Sequence, residues 1–221
     1  MDPSAARVVS EVTQRYGSLA RYKDSGTAIV RTLGSRLAID GIAFQTAFLR
    51  SGPFRFEYRR EFGDRSEQHV IEGTAAEATV RWNARTLPDC TSTLKAAVVK
   101  ATGISLGAAR VIPSLLIPDT LGGRSPFELD DLRILDESQL DGVQCIRIGG
   151  WAARKRALYG LGDGPQMSGR PFRSLLIEQE SWLVRRVTST TVFDGEEVET
   201  KLDYQPDDMT AVSPADFKWR P

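Results

Sequence analysis

The sequence predicts an α+β fold, an open antiparallel β half-barrel of about ten strands with an N-terminal helix and a helical insert. Two consecutive runs, 44–48 and 54–59, alternate apolar and polar residues on either side of a Ser-Gly-Pro break. This period of two is typical of a β-hairpin with one apolar face. Further strands joined by short turns favour antiparallel pairing, and a sheet of that size tends to curl.

The first element is an amphipathic helix, predicted over residues 4–22. Apolar side chains recur there at helical spacing, and charged residues occupy the remaining surface. The apolar positions are Val8, Val9, Val12, Tyr16, Leu19 and Tyr22. Pro3 and Ser4 are residue types that commonly start a helix, so we expect the helix to begin there.

Five strands and a helical insert follow the first helix. The strands, separated by glycines, are predicted at residues 22–36, 40–50, 54–62, 67–73 and 76–83. Residues 91–121 then break the alternation, because alanine, leucine and lysine recur in helical order. We expect two or three short helices there, with a hinge at 103–107 and an apolar turn around Pro113. The insert has too few polar residues for both sides to face water, so it should pack on the sheet.

Five more strands are predicted in the second half of the chain, at residues 127–136, 143–150, 172–180, 182–193 and 197–205. Asp141-Gly142 and Asp194-Gly195 are hairpin-turn signals between pairs of these strands. Residues 160–171 are predicted to form a flexible loop, and alternation over 216–221 is typical of one further edge strand. We expect residues 1–221 to form a single domain.

The charge balance argues against a nucleic-acid partner, because 29 basic residues are matched by 29 acidic ones. Residues 94–121 are the most apolar stretch, but charged residues and prolines interrupt it, so no transmembrane segment is predicted. The N-terminus has neither the basic nor the apolar part of an export signal. The protein is therefore expected either to be cytoplasmic or to begin just after a removed export signal.

Residues 103–107 match the GxSxG motif of serine hydrolases, in which Ser105 would be the nucleophile. That motif needs a strand before the serine and a histidine later in the chain. Here the preceding pattern is helical, and the single histidine, His69, lies upstream. A hinge between helices is the favoured interpretation, and a hydrolase that uses Ser105 or an acidic pair is the less favoured one. His69 is expected to be a solvated strand residue, and no catalytic residue or cofactor is predicted.

The two cysteines, Cys90 and Cys145, lack the neighbouring ligands that a zinc site needs, so no metal site is predicted. In an oxidising compartment they could form a disulfide. The alternative is two unrelated buried thiols, and the spacing of the residues does not decide between the two.

The aromatic hairpin and the insert present apolar faces that something must cover. One interpretation is an ordinary hydrophobic core. The other is a closable ligand cavity, with the sheet as its wall and the insert as its lid, since ligand pockets are mostly apolar and occur in the mouths of barrels. The predicted ligand-binding residues are Phe44, Phe48, Phe54, Phe56 and Tyr58 in the wall, and Leu94, Val98, Leu115 and Leu116 in the lid.

Four segments, in order along the chain, resemble the LolA/LolB-type bacterial lipoprotein carriers. They are residues 16–19 (YGSL), 48–56 (FLRSGPFRF), 72–82 (EG at its start and VRW at its end) and 217–221 (FKWRP). The resemblance implies an open antiparallel half-barrel closed by helices, with an interior that holds acyl chains. It also implies that Arg50 stands where the carriers keep an arginine that ties the lid shut by hydrogen bonds.

For function, the resemblance implies non-enzymatic binding or carriage of a lipid or an acylated lipoprotein. The protein would be a monomer in the periplasm or at the outer membrane, with a membrane surface or a membrane protein as a further partner. The alternative is an envelope sensor or interaction module whose core is filled by its own side chains. The insert is longer than in the small carriers, and no segment marks a docking site for a transporter complex.

Overall fold

The computed structural model describes residues 2–35, 38–50, 52–62, 64–83, 85–123, 125–152, 167–193, 195–207 and 212–217. Within them lie four α-helices, α1 (Pro3–Ser18), α2 (Leu94–Ile104), α3 (Ala108–Leu116) and α4 (Pro118–Leu121). The strands are β1 (Arg21–Thr32), β2 (Asp40–Leu49), β3 (Phe54–Phe62), β4 (Arg65–Gly73), β5 (Ala78–Trp82), β6 (Arg85–Ser92), β7 (Leu129–Leu140), β8 (Val143–Ala152), β9 (Met167–Glu178), β10 (Val184–Phe193) and β11 (Glu196–Pro206).

All eleven of these strands form one antiparallel sheet. Its order is β6-β5-β4-β3-β2-β1-β11-β10-β9-β8-β7, so β6 and β7 are the two edges and β1 joins the first half of the chain to the last strand. The sheet is open, and helices cover one of its faces. The predicted α+β half-barrel is confirmed, with one strand more than the pattern of the sequence suggested.

Helix α1 begins where the sequence predicted but ends earlier. The Asp2 side chain caps it by accepting a hydrogen bond from the Ser4 N–H at 3.1 Å, and Pro3 occupies the first turn. The helix ends at Ser18, so the prediction that it reaches residue 22 is wrong. Tyr22 belongs to β1 instead, where it pairs with Phe48 of β2. Strand pairing therefore overrides a helical spacing that continues through Tyr22.

The insert contains three helices, and the segment between the first two carries left-handed backbone. Thr93 caps α2, since its hydroxyl accepts a hydrogen bond from the Ala96 N–H at 3.3 Å. Between α2 and α3, Leu106 and Gly107 have φ angles of 54° and 93°. The positive φ at Gly107 is one that glycine adopts without steric cost, and it turns the chain into α3. No helix in the described part of the chain is long and apolar enough to cross a membrane.

Three predicted segments differ from the structure. Residues 85–92 form the additional edge strand β6; the sequence predicted no element at 85–90 and wrongly placed 91–92 in the helical insert. Strand β9 already begins at Met167, so the predicted loop is wrong over 167–171, and the rest of it lies outside the described residues. The edge strand predicted at 216–221 is wrong for Asp216 and Phe217, which belong to a 3-10 helix at Pro214–Phe217, and residues 218–221 lie outside the described residues. That turn is held by Asp216, which accepts from the Ser213 N–H at 2.8 Å.

The inner face of the sheet is the face that the helices cover. Alternate residues of β1, from Tyr22 to Ala28, point to this face, and Phe44 of β2 packs on it beside Tyr204 of β11 with ring centroids 5.2 Å apart. Gly26 makes this approach feasible, because an added Cβ would lie 2.4 Å from the Phe44 ring and 2.2 Å from the Asp203 carbonyl oxygen. The core therefore lies between this face and helices α1 to α3.

Candidate ligand site between the sheet and the helices

A cavity of about 450 Å³ lies between the sheet and the helices at the β2–β3 turn. Its apolar lining comes from the sheet and the helical insert together, and it includes Phe48, Phe54, Leu94, Ile117 and Pro118, while Asp119 and Thr120 of the insert add polar groups. Gly17 of α1 and Arg50 lie at its border. The volume falls in the range of about 300–1,000 Å³ that is usual for small-molecule pockets.

Arg50 connects the end of β2 to the ends of two helices. Its guanidinium donates to the Tyr16 carbonyl oxygen at 2.6 Å, to the Leu19 carbonyl oxygen at 3.1 Å and to the Leu116 carbonyl oxygen at 2.8 Å. Tyr16 lies in the last turn of α1, and Leu116 is the last residue of α3. Carbonyls at helix C-termini lack an intrahelical donor and carry the negative end of the helix dipole, so a cation stabilises them.

The predicted ligand-binding residues fall into two groups. Phe48, Phe54 and Leu94 border the cavity, as does Arg50. The others are buried in the core rather than among the residues that line this cavity: Phe44, Phe56, Tyr58, Val98, Leu115 and Leu116. The Phe56 ring lies 6.1 Å from the Phe44 ring and 6.2 Å from the Tyr58 ring. The middle of the inner face is thus occupied by side chains of the protein itself.

A buried polar cluster, which the sequence analysis missed, lies next to these aromatic rings. Asp24 is fully buried and accepts hydrogen bonds from the Tyr22 hydroxyl at 2.8 Å and from the Thr46 N–H at 3.0 Å. Burial raises the pKa of the Asp24 carboxyl to about 7, although both hydrogen bonds act in the opposite direction. The sequence did contain a signal for this cluster, because Asp24 lies two residues after Tyr22 in the same strand and therefore faces inward.

His69 is not the solvated strand residue that the sequence predicted. Its ring stacks on Tyr58 with centroids 4.6 Å apart, and it packs at a tilt against Trp82 with centroids 4.7 Å apart. Pairing of His69 with Tyr58 across β3 and β4 places both side chains on the same face. Burial lowers the pKa of His69, so the neutral imidazole is favoured at neutral pH.

Ser105 lies in the segment between two helices and is fully buried. Its hydroxyl oxygen accepts a hydrogen bond from the Ala109 N–H at 3.1 Å. The residues before it form α2 rather than a strand, so the strand-serine-helix geometry of a hydrolase nucleophile is missing at this position. A hinge between two helices, the interpretation that the sequence favoured for residues 103–107, therefore fits the local backbone better than a hydrolase nucleophile turn does.

Cys145 is a free, buried thiol, and burial raises its pKa. It lies in β8, next to one edge strand, whereas Cys90 belongs to the opposite edge strand β6. The side chain of Cys90 lies outside the described part of the structure. The sequence left open a disulfide or two unrelated thiols. The structure argues against the disulfide, because the Cys145 thiol is unpaired.

Comparisons with known proteins gave matches among solved structures alone. A scan against models of protein families found no match, and a search of curated proteins found none. The structure is similar to LprF from Mycobacterium bovis, with a TM-score of 0.47 and 13% identity over 94% of this chain and 96% of that one. It is also similar to the lipoprotein LppX from Mycobacterium tuberculosis, with a TM-score of 0.47 and 13% identity over 95% and 100% of the two chains.

A third similar structure is a LolA superfamily protein from Nitrosomonas europaea, with a TM-score of 0.39 and 9% identity over 97% of each chain. At these TM-scores and identities, the likeness assigns no activity to the chain.

Proposed function

We propose that this protein binds or carries an acyl chain of a lipid or an acylated lipoprotein in the bacterial cell envelope, without catalysing a reaction. The observation that supports this most directly is the cavity of about 450 Å³, which Phe48, Phe54, Leu94 and Ile117 line together with the polar residues Arg50, Asp119 and Thr120. The envelope location, in the periplasm or at the outer membrane, and the monomeric state belong to the same proposal. They follow from the resemblance of the sequence to lipoprotein carriers.

The driving force for such binding is the transfer of apolar surface out of water. Each methylene group buried between Phe48, Phe54 and Leu94 would contribute about 0.8 kcal/mol, so a short segment of acyl chain already gives appreciable affinity. A longer chain needs more room, because the middle of the inner face is occupied by Phe56 and its neighbours. We propose that helices α2 to α4 open as a lid that bends at the segment 103–107, between α2 and α3.

Binding of a fluorescent fatty acid tests the position of the ligand. Ala75 is exposed and borders the cavity, whereas the adjacent Ala76 is exposed and is not among the residues that line it. We expect saturable binding by the wild type, roughly tenfold weaker binding by Ala75→Trp, and unchanged binding by Ala76→Trp. Equal affinities in the two variants would place the ligand elsewhere, and a wild type that takes up no acyl probe would overturn the proposed function.

Replacing Arg50 should release the lid. Arg50→Ala removes three charge-assisted hydrogen bonds to helix ends, so we expect a loss of about 1.5–3 kcal/mol in the free energy of unfolding. Amide protons near the C-terminus of α3 should exchange faster, and the bound probe should dissociate faster. Arg59→Ala is the matched control, because the Arg59 side chain is 61% exposed on the same sheet. Unchanged exchange at the end of α3 would show that Arg50 does not hold the lid.

The alternative function, an envelope interaction module with a self-filled core, is favoured by one specific observation. On the inner face, Phe56 packs against Phe44 and Tyr58, and Phe44 packs in turn against Tyr204. If this packing never opens, the protein should be purified free of lipid, ignore acyl probes and retain a stable protein partner in a pull-down. Native mass spectrometry of the freshly purified protein distinguishes the two functions, since a carrier retains a ligand mass.

A further inference from the structure

A second cavity, of about 350 Å³, lies on the outer face of the sheet, opposite the face that the helices cover. Strands β8 to β11 and β1 supply its floor, and the end of β7 borders it. Ser174 of its lining precedes Leu175, and Lys201 precedes Leu202. Both leucines belong to the core of the inner face. Because side chains alternate along a strand, the residues before them point outward, away from the acyl-chain cavity.

Positive charge dominates the lining of this cavity, which we call the outer groove. Four of the described residues that line it are cations, and Glu199 is the one carboxylate among them. Two neighbouring carboxylates, Asp136 and Asp203, also pair with these cations, so four positive charges meet three negative ones and one positive charge is in excess. The four cations are Arg31, Arg147, Arg186 and Lys201.

The register of the strands places two of the arginines on either side of one leucine. Leu176 of β9 pairs with Arg147 of β8 on one side and with Arg186 of β10 on the other. Neighbouring strands lie about 4.8 Å apart, so the Cα atoms of the two arginines are separated by about 10 Å. The next row of outward residues contains Ser174 and Thr188, which pair with each other. An ion above Leu176 therefore lies within reach of both guanidinium groups and of two hydroxyls.

The ion pairs around the outer groove leave donors available and hold the cations in place. Arg147 approaches Asp136 through its Nε atom at 3.2 Å, and Arg186 donates to Asp203 through its Nε atom. Within the described ranges of the chain, the terminal amino groups of these two arginines have no hydrogen-bond partner. Asp203 also holds the Lys201 ammonium at 3.2 Å. Because the side chains are already positioned, less conformational entropy is lost when a ligand binds between them.

We propose that the outer groove binds the phosphate group of a ligand through Arg147, Arg186 and Lys201. Phosphate oxygens accept from several donors at once, and a guanidinium offers two parallel N–H groups to them. The excess positive charge favours an anion, and the Ser174 and Thr188 hydroxyls supply further donors for the remaining oxygens. The groove lies on the other side of the sheet from the acyl-chain cavity, so this site goes beyond the proposed carrier function and does not rest on it.

Soluble phosphate esters and phospholipid headgroups both carry this group, and two measurements separate them. One is calorimetric titration with glycerol phosphate, and the other is co-sedimentation with phosphatidylcholine vesicles that contain or lack phosphatidylglycerol. We expect saturable binding of the wild type to one of these probes. The double variant Arg147→Gln/Arg186→Gln should bind that probe at least roughly tenfold more weakly, because it keeps only Lys201 and the hydroxyls above Leu176.

The matched control is Arg59→Gln/Arg81→Gln, which removes the same number of positive charges from the outer face in the other half of the sheet. Arg59 pairs with Glu57 at 3.1 Å and Arg81 pairs with Glu72 at 2.7 Å, and neither arginine lines the outer groove. This control separates binding in the groove from a general attraction of anions to a cationic surface.

The groove variant should remain folded. Asp136 is 43% exposed without its partner Arg147 counted as cover, and Asp203 keeps its ion pair with Lys201 when Arg186 is replaced. Neither substitution therefore leaves a buried, unpaired charge. Thermal unfolding of both double variants checks that they are folded, and the affinity of each for the acyl probe reports on the carrier function separately.

The outcomes decide both the site and its occupant. Weaker binding of glycerol phosphate in the groove variant alone supports the site, with a soluble phosphate ester in it. If the soluble ester does not bind, weaker binding of phosphatidylglycerol vesicles in the groove variant alone supports a phospholipid headgroup. Binding of neither probe by the wild type, or equal affinities of the two double variants, overturns the site and leaves these cations with their ion pairs as their whole role.

Discussion

Phe56→Ala will lower the free energy of unfolding by about 3–5 kcal/mol, the range usual for deleting a large buried aromatic side chain. Phe56 is fully buried at the middle of the inner face, between the Phe44 and Tyr58 rings. Its removal leaves a cavity that these rings, held on paired strands, can fill only in part. Urea denaturation with an unchanged m-value measures the loss.

The control for this substitution is Phe193→Ala at the end of β10, where the side chain is 39% exposed. We expect a clearly smaller loss in that variant, because a substantial part of the Phe193 side chain already faces water in the folded state. A similarly small loss in Phe56→Ala would mean that the inner face collapses readily or was never tightly packed. That result would support an interior that can open for a ligand, and it would argue against a core that is filled by the protein's own side chains.

Asp24→Asn will remove most of a pH dependence of stability that spans about pH 4 to pH 7. In the native protein, burial keeps Asp24 protonated up to its pKa of about 7, whereas an unfolded carboxyl releases its proton near pH 4. Between these values folding takes up a proton, so the wild type loses stability as the pH rises. The loss approaches about 4 kcal/mol as an upper bound, because each pKa unit corresponds to about 1.4 kcal/mol.

Asparagine is a suitable replacement, since it stays neutral and can still accept the hydrogen bond from the Thr46 N–H. At about pH 8 the variant should therefore be more stable than the wild type, and near pH 4 the two should be similar. Unfolding by urea across this range measures the effect. Asp131→Asn is the control, because Asp131 is exposed and should not alter the slope. Parallel pH profiles of wild type and Asp24→Asn would show that Asp24 is already ionised in the native state.

The β2–β3 hairpin was predictable from sequence because its physical causes are local. Each strand is half buried, so apolar and polar residues must alternate, and the Ser-Gly-Pro break marks the turn. Strand β6 could not be predicted in the same way. Its sequence, RTLPDCTS, contains a proline and no alternation, and an edge strand tolerates both because β5 supplies the pairing on one side only.

The candidate site shows the same division between local and long-range causes. Arg50 was identified through a resemblance, while its three acceptor carbonyls belong to segments far apart in the sequence and come together only in the fold. Asp24 could have been recognised as a charged residue at an inward position of β1. Its raised pKa depends on the helices that bury it, and the alternation within one strand carries no information about them.

The adjacency of β1 and β11 has a consequence for biosynthesis. Arg31 pairs with Glu199, which follows it by 168 residues, so the first strand keeps one row of unpaired amides and carbonyls until β11 has been made. In a nascent chain at that stage, β1 is an exposed edge strand, and such strands can pair with strands of other chains and aggregate. Completion of the sheet must wait for β11, so folding should be slow, and a holding chaperone should raise the yield of native protein.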